Sequence, residues 1–251
     1  MNKLVLITGG SRGIGRESAL YLAEKGCDVI ITYHSNKDAA DDVVSRIKEI
    51  GRSATALALD VSQTDTFSHF ADVVETQLKS EFSRKELDVI IHNAGMGIYK
   101  SFEDTTESDF DILMNTHLKA PFFLSQLLLP MIAPQGQIIH ISSGLARFSL
   151  PGYTAYATMK GAVEVLTRYL AKELATKQIR VNTLAPGAVE TDFGGGAVRD
   201  NTELNRSIAN QTALGRVGLP DDIAKALAML VSDDSSWVTG QRIEASGGMF
   251  L

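Results

Sequence analysis

Cysteine is almost missing from this chain of 251 residues. The single Cys27 excludes an intrachain disulfide and a cysteine-based zinc site. At a strand entrance it reads as a small apolar packing residue, with a reactive thiol as the alternative. Long apolar runs are missing too. Nothing approaches the roughly 18 residues of a membrane-spanning helix, and Leu4–Ile7 is too short for a secretory signal. Positive charge is not in excess: the formal net charge is −6, with Lys and Arg scattered among acids. That argues against a nucleic-acid partner, because phosphate recognition needs clustered cations. The histidines (His34, His69, His92, His117 and His140) have no H-E-x-x-H or acid-flanked spacing, so no metal site is expected. Linkers, repeats and low-complexity tracts are absent. The expectation is a cytoplasmic protein with no membrane partner.

What is present is ordinary globular composition, 44% hydrophobic and 22% charged, in a strict alternation of short and long patterns. Strand-like runs fall at Lys3–Thr8, Asp28–Tyr33, Ala54–Leu59, Asp88–His92, Gln137–Ser142, Ile179–Leu184 and Arg242–Ala245. Helical periodicity fills Ile14–Lys25, Lys37–Ile50, Asp65–Lys79, Glu107–Ile132, Tyr153–Lys177 and Asp221–Ser232. Gly26 and Gly51 stand where the first two helices should end. Several strand runs are apolar throughout, as in strands covered by helices on both faces. The reading is an α/β chain, one domain over 1–251: a doubly wound, Rossmann-type parallel sheet of about seven strands with helices on both faces. Residues 187–201, with the run Gly194–Gly196, read either as a flexible surface loop or as a ligand lid.

Directly after the first strand comes Thr8-Gly9-Gly10-Ser11-Arg12-Gly13-Ile14-Gly15, opening a helix. Glycines let the backbone approach a pyrophosphate, and the helix N-terminus offers free N–H groups and a positive dipole end. The spacing is G-x-x-x-G-x-G. The second strand ends in Tyr33-His34-Ser35-Asn36-Lys37, with no acid to hold the ribose hydroxyls of NAD and repel a 2′-phosphate. Arg12 can reach the same place; otherwise it is a solvated loop cation. A charge-assisted hydrogen bond contributes about 1.5–3 kcal/mol, so NADP(H) is favoured over NAD(H).

Tyr156 and Lys160, spaced i, i+4, share one helix face. Ser143 lies thirteen residues upstream of Tyr156, just past a strand end, and Asn93-Ala94-Gly95 closes another strand at the same edge of the sheet. His92 and His140 fall within strands and read as packed. Phe122-Phe123-Leu124 reads as core, and Trp237 as packed beneath the last strand or lining a site.

With these motifs in this order, the chain resembles the short-chain dehydrogenase/reductase family, of the roughly 250-residue type, over essentially its whole length. The resemblance implies that Asp60-Val61 meets the adenine and that Asn93-Ala94-Gly95 lines the cofactor. It implies that Asn115, in Met114-Asn115-Thr116, holds a proton-relay water. It makes Ser143, rather than Ser142, the catalytic serine, with Tyr156 and Lys160 completing the set. Pro186, Gly187, Val189 and Thr191 would hold the nicotinamide end, and the lysine its ribose. A homotetramer assembled through long helices and the C-terminal region is implied as well.

The residue types suit carbonyl reduction, which needs a hydride and a proton for the developing alkoxide. Tyrosine has a pKa of about 10, and bringing it near 7 takes about 4 kcal/mol. A cation about 4 Å away, at an effective dielectric of about 20, supplies that much. Lys160, with the positively charged oxidised nicotinamide as a further aid, is therefore expected to lower the pKa of Tyr156, while Ser143 donates to the substrate oxygen. The substrate pocket should draw on Leu145–Tyr153 and Ala188–Phe193.

Ala213–Pro220 and the ending Gly247-Gly248-Met249 look similar to 3-oxoacyl-carrier-protein reductases. Dehydrogenation of sugars, steroids or other secondary alcohols is a second enzymatic reading. A catalytically silent NADP-sensing protein is the rival of a different class, disfavoured by the intact Asn115, Ser143, Tyr156 and Lys160. The segment Met131–Gln137 has no cation to dock an acidic carrier protein, although Lys177 matches a second docking position. A free small carbonyl compound or alcohol is therefore the expected substrate.

Overall fold

The computed structural model describes residues 1–251. Seven parallel strands form one sheet in the order β3-β2-β1-β4-β5-β6-β7. They are β1 Leu4–Ile7, β2 Asp28–Tyr33, β3 Ala54–Ala58, β4 Leu87–His92, β5 Ile132–Ile141, β6 Arg180–Pro186 and β7 Arg242–Ala245. The order reverses at β1, which pairs with β2 on one side and β4 on the other. In such sheets ligands bind at the carboxyl edge beside that switch point. Helices α1 (Gly13–Glu24), α2 (Lys37–Glu49) and α9 (Pro220–Val231) bury one face of the sheet against residues such as Val5, Ile7, Val29 and Ile31. Helices α3 (Phe67–Ser80), α5 (Ala120–Leu128) and α6 (Thr154–Glu173) cover the other, against Leu4, Leu6, Ile30 and Ile90. Adjacent residues of β1 thus serve opposite cores, which is why the whole strand is apolar.

Local chemistry accounts for most of the ends. Asn36 accepts from the Ala39 N–H at 3.0 Å and starts α2. Gly26 and Gly51 follow α1 and α2 with φ of +90° and +87°. Thr106 and Asp109 cap each other at the start of α4 (Glu107–Met114).

The long helix expected over Glu107–Ile132 is interrupted. A π-helical turn, Asn115–Lys119, separates α4 from α5. Leu129-Pro130-Met131 then closes as a 3-10 turn, and Ile132 already belongs to β5. Pro134 disfavours helix at the residue before it, so the chain turns extended early and bulges against β4. The segment Met131–Gln137 is therefore largely strand. Residues 187–201 are also more ordered in pattern than a plain loop. They hold a 3-10 turn at Phe193–Gly196 and α7 (Ala197–Asp200), followed by α8 (Thr202–Asn210). That last helix escapes detection because its sequence is mostly polar; the Asn201 cap on Glu203 and Leu204 is its main signal.

Phe122 and Phe123 are not core: they are 42% and 41% exposed, and only Leu124 is buried. Trp237 is 98% exposed and packs beneath no strand. Cys27 is buried, and burial pushes its thiol pKa up, as befits a packing residue. No helix is long and apolar enough to cross a membrane.

Candidate active site

Thr8 and Asn93 stitch the ends of β1 and β4 together. The Thr8 hydroxyl accepts from the N–H groups of Asn93 and Ala94, both at 3.0 Å. The Asn93 amide donates to the carbonyls of Thr8 and Gly9, again at 3.0 Å. A Cβ on Gly9, which has φ +68°, would lie 2.9 Å from the Ala94 Cα, and one on Gly15 would lie 2.2 Å from the Gly9 oxygen. Only glycine allows this turn. α1 begins at Gly13 with no acid in its first turn, and Arg12 caps no N–H with its side chain. The backbone donors beside Ser11, Gly13 and Ile14 are thus left to an anion. Thr191 closes the loop from the other side, its methyl 3.5 Å from the place of a Gly13 Cβ. Pro186 ends β6, Gly187 packs on Ser246, and Val189 bridges to Gly218. This cradle fits a nicotinamide dinucleotide.

At its outer end, His34 and Ser35 are exposed beyond β2. The His34 Nε2 lies 3.5 Å from Asp60, whose other oxygen accepts from the Ser62 N–H and hydroxyl. Val61 packs on the core beneath, and Gly95 is exposed beyond β4. Arg16 is tied to Glu17 and Asp42, whereas Arg12 is exposed.

The other cluster lies at the same edge. Tyr156 sits in the first turn of α6 and Lys160 one turn later; both are buried. The Lys160 ammonium donates to the Ile141 carbonyl at 2.7 Å. Ser143 follows β5 in extended conformation, its hydroxyl accepting from the Leu145 N–H at 3.2 Å. The Ser142 hydroxyl instead turns away to Glu164, at 2.7 Å. Asn115 opens the π-helical turn, and its buried Oδ1 has no partner in the chain, an acceptor left for a water or ligand.

Burial governs the charges. It pushes Tyr156 well above its usual pKa, with the Ser143 hydroxyl pulling the other way. It lowers Lys160 to about 7. In the chain alone, burial is the largest influence on both groups, raising Tyr156 and lowering Lys160.

Three rings that spacing does not reveal surround Tyr156. His117 stands edge-on at 5.2 Å between centroids, Phe193 lies at 5.6 Å and Tyr153 at 6.5 Å. Tyr99 extends this wall through Tyr153, at 5.2 Å. Tyr153 and Phe193 do lie in the segments expected to face substrate, but periodicity does not orient loop side chains. The usable signals are two glycines. A Cβ on Gly97 would meet Phe193 at 2.6 Å, and one on Gly152 would meet Tyr99 at 2.3 Å. His117 is neutral, its pKa held well below 6.5 by burial and by Lys160. Its Nε2–H donates to the Met96 carbonyl at 2.7 Å. His92 and His140 are buried, stacked on each other, and bonded to Ser125 and Thr167. No group of His, Cys, Asp and Glu converges as a metal site.

The family described as "Enoyl-(Acyl carrier protein) reductase" matches residues 9–250. An uncharacterized oxidoreductase of Methylorubrum extorquens is 37% identical over 98% of this chain and 97% of its own length. The chain belongs to the short-chain dehydrogenase/reductase family. The hydroxynaphthalene reductase-like protein Arp2 of Metarhizium robertsii, another relative, is 35% identical over 98% of this chain and 94% of its own. Among solved structures, the promiscuous reductase LugOII, which catalyses keto-reduction at C1 in lugdunomycin biosynthesis, superimposes with a TM-score of 0.93. It is 37% identical over 99% of this chain and 97% of its own. The angucycline C-6 ketoreductase LanV with bound NADP gives 0.93 at 33% identity, over 99% and 95%. This member of the family is an NAD(P)-dependent oxidoreductase that interconverts carbonyl and alcohol groups, and relatives with NADP or NADPH bound support its use of NADP.

Proposed function

We propose that this enzyme is an NADPH-preferring ketoreductase for planar aromatic ketones, with Tyr156 as the proton donor. The observation that carries the reading is the pair of rings, Tyr153 and Phe193, flanking Tyr156 at 6.5 and 5.6 Å. A flat substrate would stack against such rings with its carbonyl at the phenol, each ring pair contributing about 0.5–1.5 kcal/mol. The names of the relatives agree with it: hydroxynaphthalene reductases, and a LanV structure holding rabelomycin.

A nicotinamide held in the glycine cradle would supply the hydride. The chain handles the rest. Ser143 donates a hydrogen bond to the carbonyl oxygen, and Tyr156 releases its proton to that oxygen as negative charge develops there. Burial keeps the proton on Tyr156 until then. Lys160, fixed to Ile141, offers positive charge to the tyrosinate left behind. Asn115 Oδ1 accepts from the water through which that proton is replaced, and Arg12 pairs with the 2′-phosphate of the cofactor.

The enzyme acts on free ketones. Met131–Gln137, mostly strand and without a cation, offers no docking surface for an acidic carrier protein, and Lys177 is the sole matching basic position. The decisive experiment compares kcat/KM on bicyclic aromatic ketones, aliphatic ketones, and a 3-oxoacyl chain presented as a simple thioester and on its carrier protein. Aromatic ketones should lead. Preference for the carrier-bound chain by more than about a hundredfold, some 2.7 kcal/mol of transition-state discrimination, would overturn the reading.

The assembly is a homotetramer. α5 exposes Phe122, Phe123 and Leu127, and α6 exposes Val165 and Tyr169, an apolar surface that a second copy would cover.

A further inference from the structure

Four charged side chains run from beneath Ser143 to the C-terminus. The Ser142 hydroxyl and the Arg242 Nε both donate to the Glu164 Oε1, at 2.7 Å each. Arg242 reaches Ser143 with its Nη2, which donates to the Ser143 carbonyl at 3.3 Å, and Glu244 with its Nη1, at 2.8 Å. Glu244 also accepts a two-pronged contact from Arg147, at 2.7 and 2.8 Å, and is held at a pKa of about 2. Arg147 lies four residues after Ser143, at the end of the turn that Ser143 caps. Two further N–H groups donate to the carbonyls of Met249 and Phe250, at 2.8 and 3.2 Å, while Phe148 packs on the Phe250 ring at 4.6 Å.

The tail so gripped is attached elsewhere too. The Gly247 and Gly248 carbonyls accept from Leu214 and Ala213, and the Phe250 N–H donates to Gln211. Residues 211–214 directly follow α8, which is tied back to Glu190 through Asn205. The tail therefore connects the segment bearing Phe193 and α8 with the loop bearing Ser143.

We propose that Arg147 is a positioning residue, a clasp that fixes the Ser143 loop through Glu244 and Arg242 and joins it through the C-terminal tail to the α8 side of the substrate cleft. One planar guanidinium making four directed bonds defines a geometry that a lysine cannot reproduce. The proposal rests on the reading of Ser143 as the donor to the substrate oxygen.

The test uses the full-length enzyme with NADPH and the ketone it reduces best. Arg147→Met and deletion of Phe250 and Leu251 should each lower kcat about tenfold or more, with NADPH affinity within about twofold of wild type. Because both break one clasp, the combined variant should be no worse than the poorer single one, a coupling that independent damage to folding would not produce. Hydrogen exchange should show residues 143–148 and 211–214 losing protection together in Arg147→Met, with β1 and β4 unchanged. Arg147→Lys reads the same coupling if the Met variant does not fold. Losses that multiply, an unchanged kcat, or protection lost in only one segment would overturn the proposal. Ser143→Ala, assayed alongside, separates the readings: full activity there removes the serine's role and leaves exchange to judge the clasp.

Discussion

The Lys160 ammonium lies 5.5 Å from the centroid of the Tyr156 ring and is anchored on the Ile141 carbonyl. It is thus held beside the ring by the end of the strand that Ser143 follows, and by nothing acidic. An acidic partner would keep the lysine charged at the expense of its help to the tyrosine. With a carbonyl partner and deep burial, its pKa falls to about 7 while the tyrosine holds its proton. Tyr156→Phe should lower kcat by about 10²–10⁴ and leave NADPH binding, followed by fluorescence, nearly intact. Lys160→Ala should weaken both. Activity near wild type in Tyr156→Phe would end the mechanism.

Arg12 is the residue proposed to select the cofactor. It is exposed on the glycine loop and the β2 end opposite carries no acid. Removing a charge-assisted bond of about 1.5–3 kcal/mol costs about ten- to a hundredfold in affinity. Arg12→Ala should lose that much for NADPH and little for NADH in titrations of each. Equal losses would show that the arginine meets no phosphate.

Gly97→Ala addresses the aromatic wall. The new methyl would stand 2.6 Å from the Phe193 ring, and the ring, on an exposed segment, must move off Tyr156. Loss of one ring contact predicts a KM for aromatic ketones raised about two- to tenfold. NADPH affinity and KM for small aliphatic ketones should hardly change. A uniform loss on all ketones would point to damage at Tyr156 itself.

Acid should unfold this protein early. His92 titrates at about 3 in the folded chain because it is fully buried, against about 6.5 when unfolded. Its contribution is complete above pH 6.5 and is lost as the pH falls from there toward 3. At pH 5 the unfolded chain gains about 2 kcal/mol from protonating this one residue. His117 and His140, also lowered by burial, act in the same direction. Denaturant midpoints should fall steadily between pH 7 and 5, and His92→Gln should flatten that slope. A flat profile would contradict the burial of these rings.

Assembly should depend on α5 and α6 more than on the tail. Met249 is buried and Phe250 packs on Phe148 of its own chain, leaving Leu251 exposed. Phe123→Asp with Tyr169→Asp should shift sedimentation toward smaller species at micromolar concentration. A wild-type monomer under those conditions would refute the tetramer.

The amino-acid sequence alone determined the elements whose signals are local. The apolar strands, the glycines ending α1 and α2, the G-x-x-x-G-x-G turn and the Tyr156–Lys160 pair each depend on neighbours a few residues apart, and so does the sheet that such an alternation builds. Adjacency across the chain was beyond it. Whether Phe122 faces core or solvent depends on how the π-helical turn at Asn115–Lys119 rotates α5. Phe193 reaches Tyr156 only because β5 and β6 lie side by side and Gly97 leaves it room. Arg147 meets Glu244 across 97 residues. The burial that raises Tyr156 and lowers Lys160 is likewise invisible to spacing, since a cation one turn away says nothing about how much water both groups lose. Desolvation is set by everything packed around a residue, and only the folded chain assembles that.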